Sequence, residues 1–158
     1  MPFSQYFLKI TESQSRQYID AETVFLALRD AISKAAEVRG SMIWRELRGV
    51  RYLIRTSTSS AQKTIGEFSP ETQKIYDDFM ARKASLTTRV SGLKEQIRLQ
   101  QRLNRAQRVG RTPNIVVNIL NALEKVGINE HFLVVGTHAI YAYESAAGLR
   151  VAEGAMAT

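Results

Sequence analysis

The stretch that decides the fold is His131-Phe132-Leu133-Val134-Val135-Gly136-Thr137-His138-Ala139-Ile140-Tyr141-Ala142-Tyr143-Glu144. His131 to Val135 is a short apolar run that predicts a buried strand, Gly136 a turn, and Thr137 to about Ala147 a helix closed by Gly148. A strand that runs through glycine and a hydroxyl residue into a helix puts bare backbone N–H groups and a side-chain donor at the positive end of the helix dipole, where phosphate binds well. Gly136 suits that purpose because a Cβ there would hold a phosphate away from the backbone. The pattern is not specific by itself, since strand-Gly-Thr-helix also occurs in many α/β proteins without a ligand. The candidate phosphate-binding residues are therefore Gly136, Thr137 and His138, with no metal partner for the histidine. Glu144 stands seven residues after Thr137 on the same helix face, and pairing with an arginine is its expected role. Leu149 and Val151 open a further short strand.

Outward from this unit, Thr112-Pro113 predicts the start of a compact helix whose buried face carries Val116, Ile119, Leu120 and Leu123, and Gly127 is its stop. Before it, Ser69-Pro70-Glu71 is a strong helix start: serine caps, proline needs no N–H bond in the first turn, and glutamate suits the dipole. Nothing breaks the pattern until Gly110, which predicts a helix of almost forty residues with Gly92 as the place for a kink. Near the N-terminus, Asp20 before Val24, Leu28, Ala31, Ile32 and Ala35 predicts a helix from Ala21 to Arg39. Met42, Trp44, Tyr52 and Ile54 then alternate with charged residues around Arg48-Gly49, a β-hairpin pattern. The Ser/Thr run Thr56 to Ser60 continues into a polar connection ending near Gly66, expected to be a mobile linker. The chain is thus α+β, in three segments: a helix and hairpin over 1–66, a long basic helix over 67–111, and a βα unit over 112–158.

Charge is concentrated in the long helix. The whole chain has 22 basic and 15 acidic residues, a net +7, while Ala81 to Arg111 holds nine basic residues against the single acid Glu95. Lys94, Arg98, Arg102 and Arg105 follow 4-4-3 steps and share one face, a candidate polyanion-binding surface. An ordinary solvated helix intersperses acids as partners of its bases, and this stretch offers only Glu95. No aromatic residue lies between Ala81 and Arg111, so stacking on bases is not supported. Leu86, Val90, Leu93 and Ile97, spaced 4-3-4, offer instead a seam for a homo-oligomer. There is no cysteine, which excludes disulfides and thiolate chemistry. No apolar run approaches the roughly 20 residues that span a bilayer, and no secretory leader is evident, so no membrane association and a cytoplasmic setting are expected.

A resemblance sharpens the reading. Trp44 to Arg55 (WRELRGVRYLIR), Gly66 to Lys83, Gly110-Arg111-Thr112-Pro113 and above all Val134 to Gly148 (VVGTHAIYAYESAAG) resemble, in that order, a family of bacterial nucleotidyltransferase-fold proteins of largely uncharacterised function. The likeness spans about Ser41 to Val151. It implies that Gly136-Thr137 is a variant of the Gly-Gly or Gly-Ser turn that grips a nucleoside triphosphate, followed by a strand with two aspartates, one residue apart, that bind Mg²⁺. After Gly136 the acids are Glu144 and Glu153 alone, so the Asp-x-Asp pair is absent, and Ala155 to Thr158 resembles the residues just ahead of it. The expectation is a chain that stops short of its catalytic centre, with no catalytic residue of its own. Mg²⁺-dependent nucleotidyl transfer would then belong to a complete chain. The competing reading is a basic helical module that binds nucleic acid without catalysis.

Overall fold

Thr11 and Gln14 start the first helix nine residues earlier than Asp20 suggests. The Gln14 N–H donates to Thr11 Oγ1 at 3.2 Å and the Thr11 N–H donates to Gln14 Oε1 at 3.1 Å, a reciprocal capping box written in the sequence as Thr-Glu-Ser-Gln. The structure, a computed structural model, describes residues 6–152. It is α+β, in the order β1 (Phe7–Lys9), α1 (Glu12–Glu37), β2 (Ser41–Leu47), β3 (Val50–Thr56), β4 (Gln62–Glu67), α2 (Pro70–Ala106), α3 (Asn114–Val126), a 3-10 turn (Asn129–His131), α4 (Thr137–Ala147) and β5 (Leu149–Val151). Two compact units divide it, Met1–Glu22 with Leu99–Thr158, and Thr23–Arg98.

In the Thr23–Arg98 unit the hairpin forms as expected. Ser41 pairs with Thr56 through to Leu47 with Val50. Its two-residue turn has Arg48 at φ 52° and Gly49 at φ 78°, the pair of positive values that matches strand twist. The polar connection after it is not a linker, however. Ser57 Oγ accepts the Ala61 N–H at 3.1 Å and the Ser57 N–H donates to Ala61 O at 2.9 Å, closing a turn that returns the chain as β4. β4 pairs antiparallel with β3, with a register shift at Leu53/Ile54, and completes a β2-β3-β4 meander. Met42, Leu53 and Ile54 are buried with Ala31 and Val38. Trp44 meets Phe68 edge to face at 5.3 Å, and the Arg55 guanidinium lies 4.2 Å from the centroid of the Phe79 ring. Arg55 also donates to the Arg39 carbonyl at 2.6 Å, where the last turn of α1 leaves oxygens without helical partners.

Ser69 starts α2 as its sequence predicts. The Thr72 N–H donates to Ser69 Oγ at 3.2 Å and the Ser69 N–H to Thr72 Oγ1 at 2.8 Å. The Ser69 hydroxyl, then a backbone N–H, hold the Glu71 carboxyl below its ordinary pKa. The helix continues through Gly92 to Ala106.

In the other unit, amides join the first turns of α1 to the last turns of α2. Gln17, 5% exposed, donates to Gln100 Oε1 at 2.6 Å and to Asn104 Oδ1 at 2.9 Å. α3 ends at Gly127 in the left-handed conformation, as expected, although its start is Pro113 without a side-chain cap. β1 and β5 pair antiparallel, Phe7 with Val151 and Lys9 with Leu149. The strand expected over His131 to Val135 does not form: Asn129–His131 is a 3-10 turn, and 132–135 has no strand partner among the described residues. Its apolar side chains stay exposed, Leu133 at 85% and Val135 at 71%. An isolated apolar run has strand propensity but no ladder to satisfy its backbone groups. The βα unit is therefore a helix preceded by a non-strand segment.

Candidate functional site

Gly136 stands at the N-terminal end of α4 with φ 71° and ψ −153°, a region that essentially only glycine occupies. A Cβ on it would meet nothing within 4 Å, so the requirement is set by backbone conformation and not by packing. No side chain caps the helix start, and in the turn the Ala139 N–H donates to Gly136 O at 3.0 Å. The leading N–H groups of α4, at Thr137 and His138, thus lie at the positive end of the helix without a side-chain acceptor. Gly136, Thr137 and His138 are all exposed. The His138 ring stacks on Tyr141, with centroids 6.3 Å apart and planes at 25°.

Two turns further on, Glu144 does what its spacing suggests and pairs with an arginine, Arg111. The partnership is tighter than a surface pair: the Glu144 side chain is 9% exposed, and the same oxygen, Oε1, accepts the Val151 N–H at 2.7 Å. Arg111 in turn donates to the Val151 carbonyl at 2.9 Å. Glu144 and Arg111 therefore fasten β5 to α4 and to the segment before α3. Sequence reading found half of this, the glutamate; Arg111 was counted with the basic helix, whereas it lies five residues beyond the end of α2.

The cavity that Arg111, Glu144 and Tyr141 help to line, with Gln14 and Tyr18, holds about 50 Å³. Pockets for small molecules commonly hold about 300–1,000 Å³, so this one accommodates water and not a nucleotide. Any ligand of the Gly136 turn would sit on the open face of the helix start.

Lys94, Arg98, Arg102 and Arg105 all lie in α2 and all are exposed. The local count of nine bases against one acid overstates their freedom. Arg82 pairs with Glu37, Lys83 donates to Gly40 O, Arg89 approaches Asp30 at 3.9 Å, and Arg98 pairs with Glu95 at 2.7 Å. Lys94, Arg102, Arg105 and Arg108 have no acidic partner among the described residues.

Acids are scarce where transfer chemistry would need them. After Gly136, Glu144 is the one acid among the described residues, and Arg111 and Val151 already occupy it. No three His, Cys, Asp or Glu side chains converge among the described residues, so these residues by themselves do not offer the ligands of a magnesium pair. Glu153 and Ala155 to Thr158 lie outside the described residues. No described helix is long and apolar enough to cross a membrane.

Comparison with curated proteins and with solved structures finds no match. Residues 114–158, from the start of α3 through the Gly136 turn, match the model of a family described as nucleotidyltransferase, and this portion of the chain is nucleotidyltransferase-like.

Proposed function

We propose that the C-terminal portion holds the phosphates of a nucleoside triphosphate at the Gly136-Thr137-His138 turn, the binding half of a nucleotidyltransferase site. The observation that carries this is the Gly136 backbone, in a conformation closed to other residues, at an uncapped helix start inside the family match. The backbone N–H groups of Thr137 and His138 would bond phosphate oxygens, the Thr137 hydroxyl would add a donor, and the helix dipole would favour their negative charge. Mg²⁺ would supply charge neutralisation in such a site. Since Glu144 is committed to Arg111, metal-dependent transfer would need carboxylates from outside the described residues. The test is equilibrium binding of a fluorescent nucleoside triphosphate to the wild-type chain and to Gly136→Val. A loss of about tenfold or more is expected, the size of one or two charge-assisted hydrogen bonds. Equal affinities, with both proteins folded, would remove the turn from the site.

A second reading, binding of nucleic acid along α2, is favoured by one observation: Lys94, Arg102 and Arg105 are exposed and have no acidic partner among the described residues. Replacing Arg98, Arg102 and Arg105 with glutamine should flatten the salt dependence of duplex binding by about 0.9 log–log slope units per lost phosphate contact. Thermal stability should hardly change, because the one pair broken, Arg98–Glu95, is about two-thirds exposed on both sides. Identical salt slopes for mutant and wild type would leave the arginines as a solvated face.

A further inference from the structure

A depression of about 530 Å³ lies where the end of α2 meets the β1/β5 pair, bounded by Leu8, Gly110 and Ala152 and furnished with three guanidinium groups, Arg108, Arg111 and Arg150. Each is placed by a different device. Arg111 is fixed by Glu144 and the Val151 carbonyl, so its charge is answered. Arg150 stands opposite Leu8 in the β1/β5 register and donates one N–H to the Arg108 carbonyl, which orients its fork, while no acid among the described residues answers its charge. Arg108 holds the left-handed position just past α2, at φ 54°, with the Val109 N–H donating to Asn104 O at 2.8 Å in the manner of a Schellman end. Glycine is the ordinary occupant of that position, because a Cβ is strained there. An arginine kept at a glycine position, beside a second arginine and with no acidic partner among the described residues, is a local expense that packing does not explain.

We propose that this depression is a phosphate-binding site in which Arg108 and Arg150 are the ligand-contacting residues and Arg111 is a positioning residue. Two unanswered guanidinium charges match a dianion, and two planar forks of N–H donors match the several oxygens of a phosphate group. A carboxylate would leave one charge unanswered. The volume admits a phosphate together with part of the molecule that bears it. The site is distinct from the Gly136 turn and does not depend on that turn binding a nucleotide.

The test uses the whole chain at low ionic strength, with thermal unfolding followed as inorganic phosphate is raised into the millimolar range against chloride of equal ionic strength. Arg108→Gly should raise the phosphate-free Tm by about 2–4 °C, since it relieves the left-handed strain of a residue with a Cβ. It should also shift the phosphate midpoint to about tenfold higher concentration or beyond, the effect of losing one charge-assisted contact. Arg16→Gln, which removes one charge from an exposed pair with Glu12, should keep the wild-type response. Arg150→Gln should weaken phosphate in step with Arg108→Gly. A more stable Arg108→Gly protein with an unchanged phosphate midpoint would overturn the proposal, as would equal weakening by Arg16→Gln. A short single strand with and without a 5′-phosphate identifies the source. Tighter binding of the phosphorylated strand than of inorganic phosphate, lost in Arg108→Gly, assigns the group to a nucleic-acid end. Binding of inorganic phosphate alone assigns it to the free ion. Either outcome upholds the site, and the absence of both overturns it.

Discussion

Gly40→Ala is expected to destabilise the Thr23–Arg98 unit by about 3–5 kcal/mol, the sum of left-handed strain and a backbone collision. Gly40 has φ +84°, and a Cβ built on it would lie 2.0 Å from the Thr56 carbonyl oxygen and 3.2 Å from the Ser57 Cα. Neither neighbour can step aside, because Thr56 is in the ladder with both Ser41 and Gln62. The carbonyl of Gly40 also accepts Lys83 Nζ at 2.5 Å, so a shift of this residue would disturb the link to α2 as well. Gly49→Ala is the control. It has a similar φ, +78°, but nothing within 4 Å of the added Cβ, and should cost about 1 kcal/mol from conformation alone. Trp44 is the sole tryptophan and packs against Phe68 and Tyr76, so urea unfolding read by its fluorescence reports this unit. Equal midpoints for the two variants would show that the approach of Gly40 to β3 is looser than described.

What was legible before the structure was whatever local chemistry decides. Ser69-Pro70-Glu71, Arg48-Gly49, Gly127 and Gly148 are short-range signals whose meaning depends on backbone sterics and a few neighbouring atoms, and each stands where expected. The early start of α1 was also written locally, in Thr11-Glu12-Ser13-Gln14, but lay ahead of the apolar periodicity that drew attention to Asp20. β4 was not readable in the same way. Gln62 to Glu67 is mostly polar because most of its residues are exposed, and it becomes a strand through the ladder that β3 offers. The reverse holds for 132–135, whose apolar side chains imply a strand that no described partner completes.

The candidate sites divide along the same line. Gly136 was legible as a turn because a positive φ leaves a residue-type signature, and its φ of 71° asks for glycine on conformational grounds alone, apart from any phosphate. The charge of α2 was misjudged because the acids that answer Arg82 and Arg89 come from α1, some fifty residues away in sequence. The cluster of Arg108 and Arg150 was out of reach of a sequence pattern: a helix end and a short strand at the far side of α3 and α4 bring the two residues together.

Glu144→Ala should loosen β5 and the end of α4 by about 3–5 kcal/mol, the usual consequence of leaving one member of a largely buried ion pair alone. The Glu144 carboxylate is 9% exposed and the Arg111 side chain 25%, so solvent can replace only part of what the pair provides. The alanine variant also strands the Val151 N–H, whose acceptor is Glu144 Oε1. Glu144→Gln separates the two losses: an amide oxygen can still accept from Val151 and Arg111, while the charge is gone. It should cost about 1–2 kcal/mol, less than alanine by the value of the retained hydrogen bonds. Arg111→Met should fall near the alanine variant, since it leaves the carboxylate buried without its cation. Trp44 belongs to the other unit, so the measurement is hydrogen exchange at the Val151 and Ala152 amides, which donate to Glu144 and to the Tyr6 carbonyl. Faster exchange in the order alanine, glutamine, wild type is the expected result. If the alanine variant keeps wild-type protection at both amides, the β1/β5 pairing holds without the glutamate, and Glu144 is left free to serve the open face of α4.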